Sequence, residues 1–244
     1  MSNADRRISL VTGANKGIGL EVARQLGKAG HRILLGARDE ARGREAAKTL
    51  QAEGIDVRFV AVDLTNAASL TAAAADIEAN EGRVDVLVNN AAIALQNDGL
   101  PGTADLDAVR QTFETNFFGT VAVTQALLPL LKKSASGRIV NVSSGLGSIT
   151  LNNDPTWDFA AVKFLGYNGS KAALNMFTVL LAAELKDHGI KVNAADPGYT
   201  ATDLNGHSGH QTIPEGAAEA IRLALLPDDG PTGGFFNSDG AEPW

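Results

Sequence analysis

Short runs of apolar, β-rich residues alternate with longer helical patterns throughout this chain, and this alternation constrains its fold more than any other feature. Repeated strand–helix–strand order requires right-handed crossovers, which produce a parallel sheet covered by helices on both faces. We therefore predict an α/β fold, a single-domain doubly wound parallel sheet of about seven strands. The predicted strands cover residues 8–12, 32–35, 57–62, 84–88, 138–142, 190–194 and 233–236.

The composition excludes several classes of protein. The chain has 244 residues and a formal net charge of −7 with scattered basic residues, which disfavours a nucleic-acid partner. It has no cysteine, so disulfides and thiolate chemistry are excluded. Its first residues lack the apolar run of a signal peptide, and no run approaches the roughly 18 apolar residues of a membrane span. We expect a cytoplasmic protein with no membrane partner.

A glycine-rich turn joins the first predicted strand to the first predicted helix. Its G-x-x-x-G-x-G spacing lets backbone N–H groups and the helix dipole approach a pyrophosphate, because three side chains are missing. Spacing alone is a weak signal, and a turn without a ligand is the alternative. Parallel sheets bind ligands at the carboxyl ends of their strands, so we favour a nucleotide cofactor here. The predicted contacts are Gly13, Asn15, Lys16, Gly17, Ile18 and Gly19.

The residues after the second strand bear on the choice between NAD and NADP. A Rossmann-type fold places an acidic residue there for the ribose hydroxyl of NAD, or a basic one for the 2′-phosphate of NADP. Arg38, with Lys16 in the glycine-rich turn, favours NADP(H). Asp39 would accept the ribose hydroxyls instead if the loop register differed. We predict NADP(H) in preference to NAD(H).

Polar residues after the third and fourth strands complete the predicted cofactor site. Asp63 is suited to an adenine amino group, and residues 89–92 (Asn-Asn-Ala-Ala) are suited to the adenosine ribose. Each has an alternative interpretation, as a helix N-cap for Asp63 and as turn formers for the asparagines. The contacts predicted from these segments are Asp63, Leu64, Asn90 and Ala91.

A tyrosine and a lysine stand four positions apart in a predicted helix. This spacing places the phenol of Tyr167 and the ammonium of Lys171 on one face. A phenol has a reference pKa of about 10, and a nearby cation lowers it by favouring the phenolate. The pair therefore indicates proton transfer, and we expect Lys171 to lower the pKa of Tyr167.

Several motifs follow one another in a characteristic order. Together they resemble the short-chain dehydrogenase/reductase family over residues 8 to 240, and the Asn-Lys-Gly-Ile-Gly sequence of the glycine-rich turn is most similar to NADPH-dependent carbonyl reductases. The resemblance implies a catalytic tetrad and contacts to the nicotinamide from Pro197, Gly198 and Thr200. The motifs are Thr12-Gly13-x-x-x-Gly17-x-Gly19, Asn89-Asn90-Ala91, Asn116, Ser144, Tyr167-x-x-x-Lys171 and Pro197-Gly198.

The resemblance assigns a role to each member of the tetrad. Tyr167 gives a proton to the carbonyl oxygen that receives negative charge, and Ser144 donates a second hydrogen bond to that oxygen. Lys171 tunes the phenol and holds the cofactor ribose. Asn116 orients a water that returns the proton through Lys171.

Two of these assignments have local alternatives. The hydroxyl of Ser143 has the opposite strand parity from that of Ser144, so we expect Ser143 to bond within the packing and Ser144 to face the cleft. Asn116 lies in a helical run over residues 106–131 and could be an exposed helix residue. Because Phe113 and Phe117 surround it, we expect it to be buried with a hydrogen-bond partner.

The chain departs from the family pattern in two places. Ala92 stands where glycine is usual, and 23 positions separate Ser144 from Tyr167, more than the commonest spacing. We interpret the stretch of residues 149–166 as an inserted loop and short helix over the substrate mouth. This insertion leaves open whether the protein is a monomer or a homo-oligomer. Its candidate apolar walls are Trp157, Phe159 and Phe164.

The remaining polar clusters carry less information. His207 and His210 lack the further ligands of a metal site, so we predict no metal and a solvated loop, while residues 203–212 are a candidate lid. Residues 239–244 are predicted to form a packed tail ending at Trp244.

The function predicted from these observations is NADPH-dependent reduction of a ketone or aldehyde, or alcohol oxidation in reverse, with a small-molecule substrate. One alternative is a catalytically silent NADP(H)-sensing regulatory protein, which would have no need to keep the tetrad together. A second alternative within the same fold is an enoyl reductase or an epimerase.

Overall fold

A computed structural model, in which residues 6–244 are described, contains one sheet of eight strands in the order β3-β2-β1-β4-β5-β6-β7-β8. The first seven strands are parallel, and β8 pairs antiparallel with β7. The predicted doubly wound α/β fold is confirmed, with one strand more than expected. The strands are β1 Ile8–Thr12, β2 Arg32–Ala37, β3 Val57–Ala61, β4 Val86–Asn89, β5 Arg138–Val142, β6 Lys191–Ala195, β7 Phe235–Asn237 and β8 Gly240–Ala241.

Helices cover both faces of the sheet. A run predicted as one helix over residues 106–131 is divided by a π-helical turn at Glu114–Phe118. None of the helices in residues 6–244 is long and apolar enough to cross a membrane. The helices are α1 Gly17–Lys28, α2 Glu40–Ala52, α3 Ala67–Glu81, α4 Leu106–Phe113, α5 Gly119–Leu131, α6 Ile149–Asn153, α7 Leu165–Glu184 and α8 Ile213–Ala224.

The sheet separates two apolar cores. Side chains alternate between the faces of a strand, so Val11 of β1 packs against α1, α2 and α8, while Leu10 packs against α3, α5 and α7. Both residues are fully buried. Burial on both faces explains why the central strands are almost continuously apolar in sequence.

The strand order reverses between β1 and β4, which are neighbours in the sheet. The chain leaves β1 toward β2 on one side and later returns to β4 on the other side. In sheets of this kind a crevice forms outside the carboxyl ends of the strands at such a switch point. The segments that follow β1, β4, β5 and β6 therefore meet at one edge, and they carry the predicted site residues.

Local signals set most of the helix starts. Asp39 accepts the backbone N–H of Arg42 at 2.9 Å and caps α2. Asn66, rather than Asp63, caps α3 by accepting from Ala68 and Ser69, so the N-cap alternative for Asp63 is wrong.

Candidate active site

The glycine-rich turn is packed tightly enough to require its glycines. Gly13 and Gly17 adopt φ angles of 64° and 57°, a region that side chains disfavour. A Cβ on Gly13 would lie 2.9 Å from the Cα of Ala91, and one on Gly19 would lie 2.4 Å from Nδ2 of Asn90. The turn between β1 and α1 is thus held directly against the segment after β4.

The residues of this turn fit a cofactor pyrophosphate. Lys16 is the N-cap of α1 but makes no side-chain capping bond, and the first turn holds no acidic residue, so the positive end of the helix is free for an anion. A Cβ on Gly17 would meet only Cγ2 of Thr202, at 3.9 Å, which leaves open space above the turn. Lys16 forms an exposed ion pair of 2.5 Å with Asp203 in the loop after β6.

Arg38 and Asp39 lie at the end of β2 in different environments. The Arg38 side chain is exposed. The Asp39 carboxylate bonds the backbone N–H of Arg42 at 2.9 Å and its guanidinium at 3.0 Å. Because Asp39 serves as the α2 cap, it is less available to ribose hydroxyls than its sequence position suggests.

The segment after β4 is tied to the glycine-rich turn through Thr12. Asn90 donates from Nδ2 to the carbonyl oxygen of Thr12 at 2.9 Å, and the Thr12 hydroxyl accepts the backbone N–H groups of Asn90 and Ala91 at 3.0 and 3.1 Å. These bonds fix Asn90 and Ala91 beside Gly13.

Asp63 and Leu64 lie at the end of β3, next to that segment. Asp63 accepts the hydroxyl and the backbone N–H of Thr65, at 2.8 and 3.0 Å. Leu64 is buried, and a Cβ placed on Gly119 would lie 2.6 Å from the Cβ of Leu64. Helix α5 therefore packs directly on the loop that carries these two residues.

Asn116 lies in the π-helical turn and is 1% exposed, as expected from its apolar neighbours. Its side chain accepts the N–H of Ile93 at 2.8 Å, and donates to the Ile93 carbonyl at 2.9 Å and to the Ser170 hydroxyl at 3.1 Å. Single π-helical turns often occur at functional sites. Asn116 links the loop after β4 to α7, and its predicted role in ordering a water stays a prediction.

The two serines after β5 divide as strand parity predicts. The buried hydroxyl of Ser143 donates to Oδ1 of Asn175 on α7 at 2.5 Å. Ser144 instead lines a cavity and lies close enough to the hydroxyl of Tyr167 to act on its pKa. The structure therefore places Ser144, and not Ser143, beside the phenol.

Helix α7 presents Tyr167 and Lys171 on one face. The Nζ atom of Lys171 lies 5.7 Å from the centre of the Tyr167 ring and donates to the carbonyl of Val142 at 2.7 Å. Lys171 is 3% exposed. The serine, the phenol and the ammonium are thus brought together between the end of β5 and the start of α7.

The start of α7 depends on a residue that the sequence analysis missed. Asp98, from the loop after β4, accepts the backbone N–H of Gly166 at 2.9 Å and of Tyr167 at 2.7 Å. The N-cap residue Phe164 supplies no side-chain bond, so a carboxylate distant in sequence caps the helix. No local signal marks Asp98, because capping patterns are sought within the helix's own sequence.

The titration of Tyr167 differs from expectation. Its pKa is raised above the ordinary value, first by burial and then by the negative charge of Asp196, and the hydrogen bond from Ser144 opposes these effects only in part. Burial also lowers the pKa of Lys171 to about 8, against the attraction of Asp196. The prediction of a net lowering of the Tyr167 pKa is therefore wrong for this arrangement, because desolvation and a carboxylate raise that pKa more than Ser144 lowers it.

A cavity of about 280 Å³ opens beside Ser144. Trp157 and Phe159 of the insertion and Tyr199 of the loop after β6 line it, whereas Phe164 is 44% exposed at the start of α7 and is not a wall. Tyr167 does not line this cavity itself, but its phenol lies beside Ser144, which does. A larger cavity of about 610 Å³ between α6 and α7 contains none of the tetrad.

The segment after β6 forms the opposite side of the cavity. Pro197 and Gly198 line it, Gly198 has a φ of 65°, and the buried hydroxyl of Thr200 donates to the Pro197 carbonyl at 2.8 Å. Asp196, which directly precedes this turn, and Glu242 near the C-terminus also line the cavity. The sequence analysis missed both, although a carboxylate at the end of a parallel strand is a usable signal.

The histidine loop and the tail complete the surroundings. His207 pairs with Asp203 at 2.8 Å, and His210 lines the cavity. Residues 6–244 contain no group of histidine and acidic side chains that could hold a metal ion. Trp244 stacks on Phe235 with ring centres 5.4 Å apart, so the tail is packed onto β7.

Known proteins of one family are similar to this chain over nearly its whole length. A family model described as short chain dehydrogenase matches residues 7–212. Carbonyl reductase (NADPH) 1 of Mus musculus is 35% identical over 99% of this chain and 100% of that protein. Short-chain dehydrogenase/reductase 1 of Saponaria officinalis is 36% identical over 99% of this chain and 97% of that protein.

Solved structures agree with the sequence matches. The crystal structure of NADPH-bound carbonyl reductase from chicken fatty liver has a TM-score of 0.86 at 30% identity, and covers 98% of this chain and 99% of that one. Salutaridine reductase from Papaver somniferum has a TM-score of 0.83 at 30% identity, and the alignment covers 96% of this chain and 100% of the reductase chain. The chain therefore belongs to the short-chain dehydrogenase/reductase family and is an oxidoreductase.

Proposed function

We propose that this protein reduces a ketone or aldehyde to an alcohol with NADPH, and that Tyr167 is the proton donor. The observation that carries the proposal is that Tyr167 lies beside both Lys171 and Ser144, and that Ser144 lines a cavity with aromatic walls. The raised pKa of Tyr167 supports this role, because the phenol stays protonated at neutral pH and has a proton to give.

The reaction balances with the groups named. The hydride that reaches the carbonyl carbon would come from bound NADPH, which would leave as NADP⁺. The carbonyl oxygen takes the proton of the Tyr167 hydroxyl while Ser144 donates a hydrogen bond to it, so the C=O double bond becomes CH–OH. The resulting phenolate regains a proton from solvent. We propose that Lys171, whose Nζ lies 5.7 Å from the centre of the Tyr167 ring, stabilises that phenolate.

The proposed cofactor preference rests on the end of β2. Arg38 is exposed there and suited to a 2′-phosphate, whereas the Asp39 carboxylate is engaged in capping α2. The glycine-rich turn, with residues 13 and 15–19, and the segments bearing Asp63, Leu64, Asn90 and Ala91 would hold the remainder of the dinucleotide. We propose Pro197, Gly198 and Thr200 as contacts of the nicotinamide.

Replacing the phenol tests the proposal. Tyr167→Phe removes the hydroxyl without changing the size of the side chain, so the affinity for NADPH is expected to change little while kcat falls by about 10² to 10⁴ or more. Calorimetric binding of NADPH and its oxidation in the presence of varied ketones, aldehydes and quinones measure the two effects. Full turnover by the variant would contradict the assignment of Tyr167.

The same screen separates the proposal from its alternatives. A regulatory protein would bind NADPH and oxidise it with none of these substrates. An enoyl reductase would consume NADPH with conjugated enones and yield the saturated ketone rather than the alcohol, which product analysis distinguishes.

A further inference from the structure

The cavity beside Ser144 is strongly acidic. Six carboxylate residues line it, and no lysine or arginine does. One of the six pairs with a cation, Glu219 with Arg222 at 2.6 Å, and Glu215 accepts the N–H of Thr212 at 2.7 Å. The six are Asp158, Asp196, Glu215, Glu219, Asp239 and Glu242.

Asp196 and Glu242 form a carboxyl pair next to the proposed catalytic serine. A Cβ placed on Gly145 would lie 3.2 Å from Oδ2 of Asp196 and 3.4 Å from Oε1 of Glu242, so both oxygens face one point at the residue that follows Ser144. The two side chains are hydrogen-bonded to each other. This bond requires a proton, because two carboxylates have only acceptors to offer.

The pair is anchored, yet one of its oxygens is unused. Asp196 accepts the backbone N–H of Gly198 at 3.0 Å and that of Gly145. Oε2 of Glu242 is buried and has no hydrogen-bond partner. Burial and the charge of Asp196 raise the pKa of Glu242 to about 8. The buried ammonium of Lys171 attracts Asp196, but no lysine or arginine lines the cavity, so its lining carries an excess of negative charge.

Aromatic rings face the same space. Trp157, Phe159 and Tyr199 line the cavity, and consecutive ring centres are 5.6 Å apart in each of the two contacts. The Cζ2 atom of Trp157 would lie 3.1 Å from a Cβ on Gly145, beside the two carboxyl oxygens. Aromatic rings together with carboxylates form the surroundings that bind organic ammonium ions.

We infer that the substrate of this cavity is an amino ketone or amino aldehyde, whose ammonium group binds the Asp196–Glu242 pair against the ring of Trp157. The inference rests on the proposed function, since it extends the same site from the reacting carbonyl to the rest of the substrate. An ammonium donates hydrogen bonds to Oδ2 of Asp196 and Oε1 of Glu242, the oxygens that lie beside Gly145, and it replaces the proton that the pair otherwise needs. A carboxylate on the substrate would be repelled.

Binding and turnover of three matched probes test the inference. They are para-aminomethyl acetophenone, its neutral isostere para-ethyl acetophenone, and the anionic para-acetylbenzoate. Calorimetry on the NADP⁺ complex is expected to show the ammonium probe binding about tenfold or more tightly than the isostere, because hydrogen bonds to charged groups are worth about 1.5–3 kcal/mol. The anion is expected to bind most weakly.

The variant Glu242→Gln identifies the group that causes the preference. It is expected to reduce the ratio of ammonium to isostere affinity by about tenfold. Glu45→Gln removes the same charge from the exposed surface of α2 and is expected to leave the ratio unchanged. Added salt should weaken the ammonium probe more than the isostere.

The possible outcomes separate the two proposals. Equal binding of the ammonium probe and the isostere, or an unchanged ratio in Glu242→Gln, overturns the inference while leaving the carbonyl reductase proposal intact. A clear ammonium preference in binding without reduction of any carbonyl probe supports the cation site and counts against the proposed function.

Discussion

Asp98 offers the sharpest test of how the fold positions the proposed proton donor. Its carboxylate caps α7 by accepting two backbone N–H groups, including that of Tyr167 itself. Asp98 is 7% exposed, and a Cβ on Gly166 would lie 3.0 Å from its Oδ2. Glycine at position 166 therefore lets the carboxylate approach the start of the helix.

The variant Asp98→Ala leaves both N–H groups without their acceptor. Losing an N-cap costs about 0.5–2 kcal/mol, and an unsatisfied buried donor costs about 1–3 kcal/mol. For two bonds we expect the free energy of unfolding to fall by about 2–4 kcal/mol. Because the first turn of α7 carries Tyr167, we also expect kcat to fall by up to about 10²-fold through displacement of the phenol.

The matched control is Asn66→Ala. Asn66 also accepts two backbone N–H groups, at the start of α3 and at 3.0 and 3.3 Å, but its helix carries no proposed catalytic residue. Urea unfolding should show a loss of stability in both variants, whereas kcat should fall only in Asp98→Ala. Hydrogen exchange should accelerate at the amides of residues 166 and 167. If Asp98→Ala retains the kcat of the control, the proposed positioning of Tyr167 through Asp98 is refuted.

Three further predictions follow from charged groups. Arg38→Ala should weaken NADPH binding much more than NADH binding in calorimetry, and equal losses would contradict a 2′-phosphate contact. Lys171→Met should abolish activity yet stabilise the protein at pH 7 by up to about 3 kcal/mol, less about 1 kcal/mol for the lost hydrogen bond to Val142. The reason is that the folded-state pKa of Lys171, about 8, lies below its unfolded value of 10.5, so the charged lysine costs stability. In urea titrations the gain should fade between pH 8 and 10.5, and a gain that persists at high pH would contradict this explanation. Glu242→Gln should be increasingly stabilising relative to the parent as pH rises from 4.5 to 8, because the raised folded-state pKa makes ionised Glu242 costly in the folded protein. If the free energies of unfolding of the two proteins change in parallel over this pH range, that cost is absent.

Much of the site could be predicted because its signals are local. Gly13 and Gly17 stand out in sequence because glycine adopts their positive φ angles without the strain that other residues would suffer. The spacing of Tyr167 and Lys171 places them on one face of any helix, whatever surrounds it. The parity of Ser143 and Ser144 likewise depends only on strand geometry.

The acidity of the site could not be predicted, because it depends on burial and on partners far along the chain. The sequence suggests that Lys171 lowers the Tyr167 pKa, yet desolvation and Asp196 raise it. Neither effect has a local pattern. The pairing of Asp196 with Glu242 likewise joins the end of β6 to the segment after β8.

The sequence by itself determined the alternation of strands and helices, the glycine-rich turn and the candidate catalytic pair, since backbone sterics and side-chain periodicity act between near neighbours. Only the tertiary structure decided that Asp98 caps α7, that the Asp39 carboxylate is used in capping α2, and that the cavity is acidic. Cross-chain caps and electrostatic fields arise from distances that the folded chain alone creates.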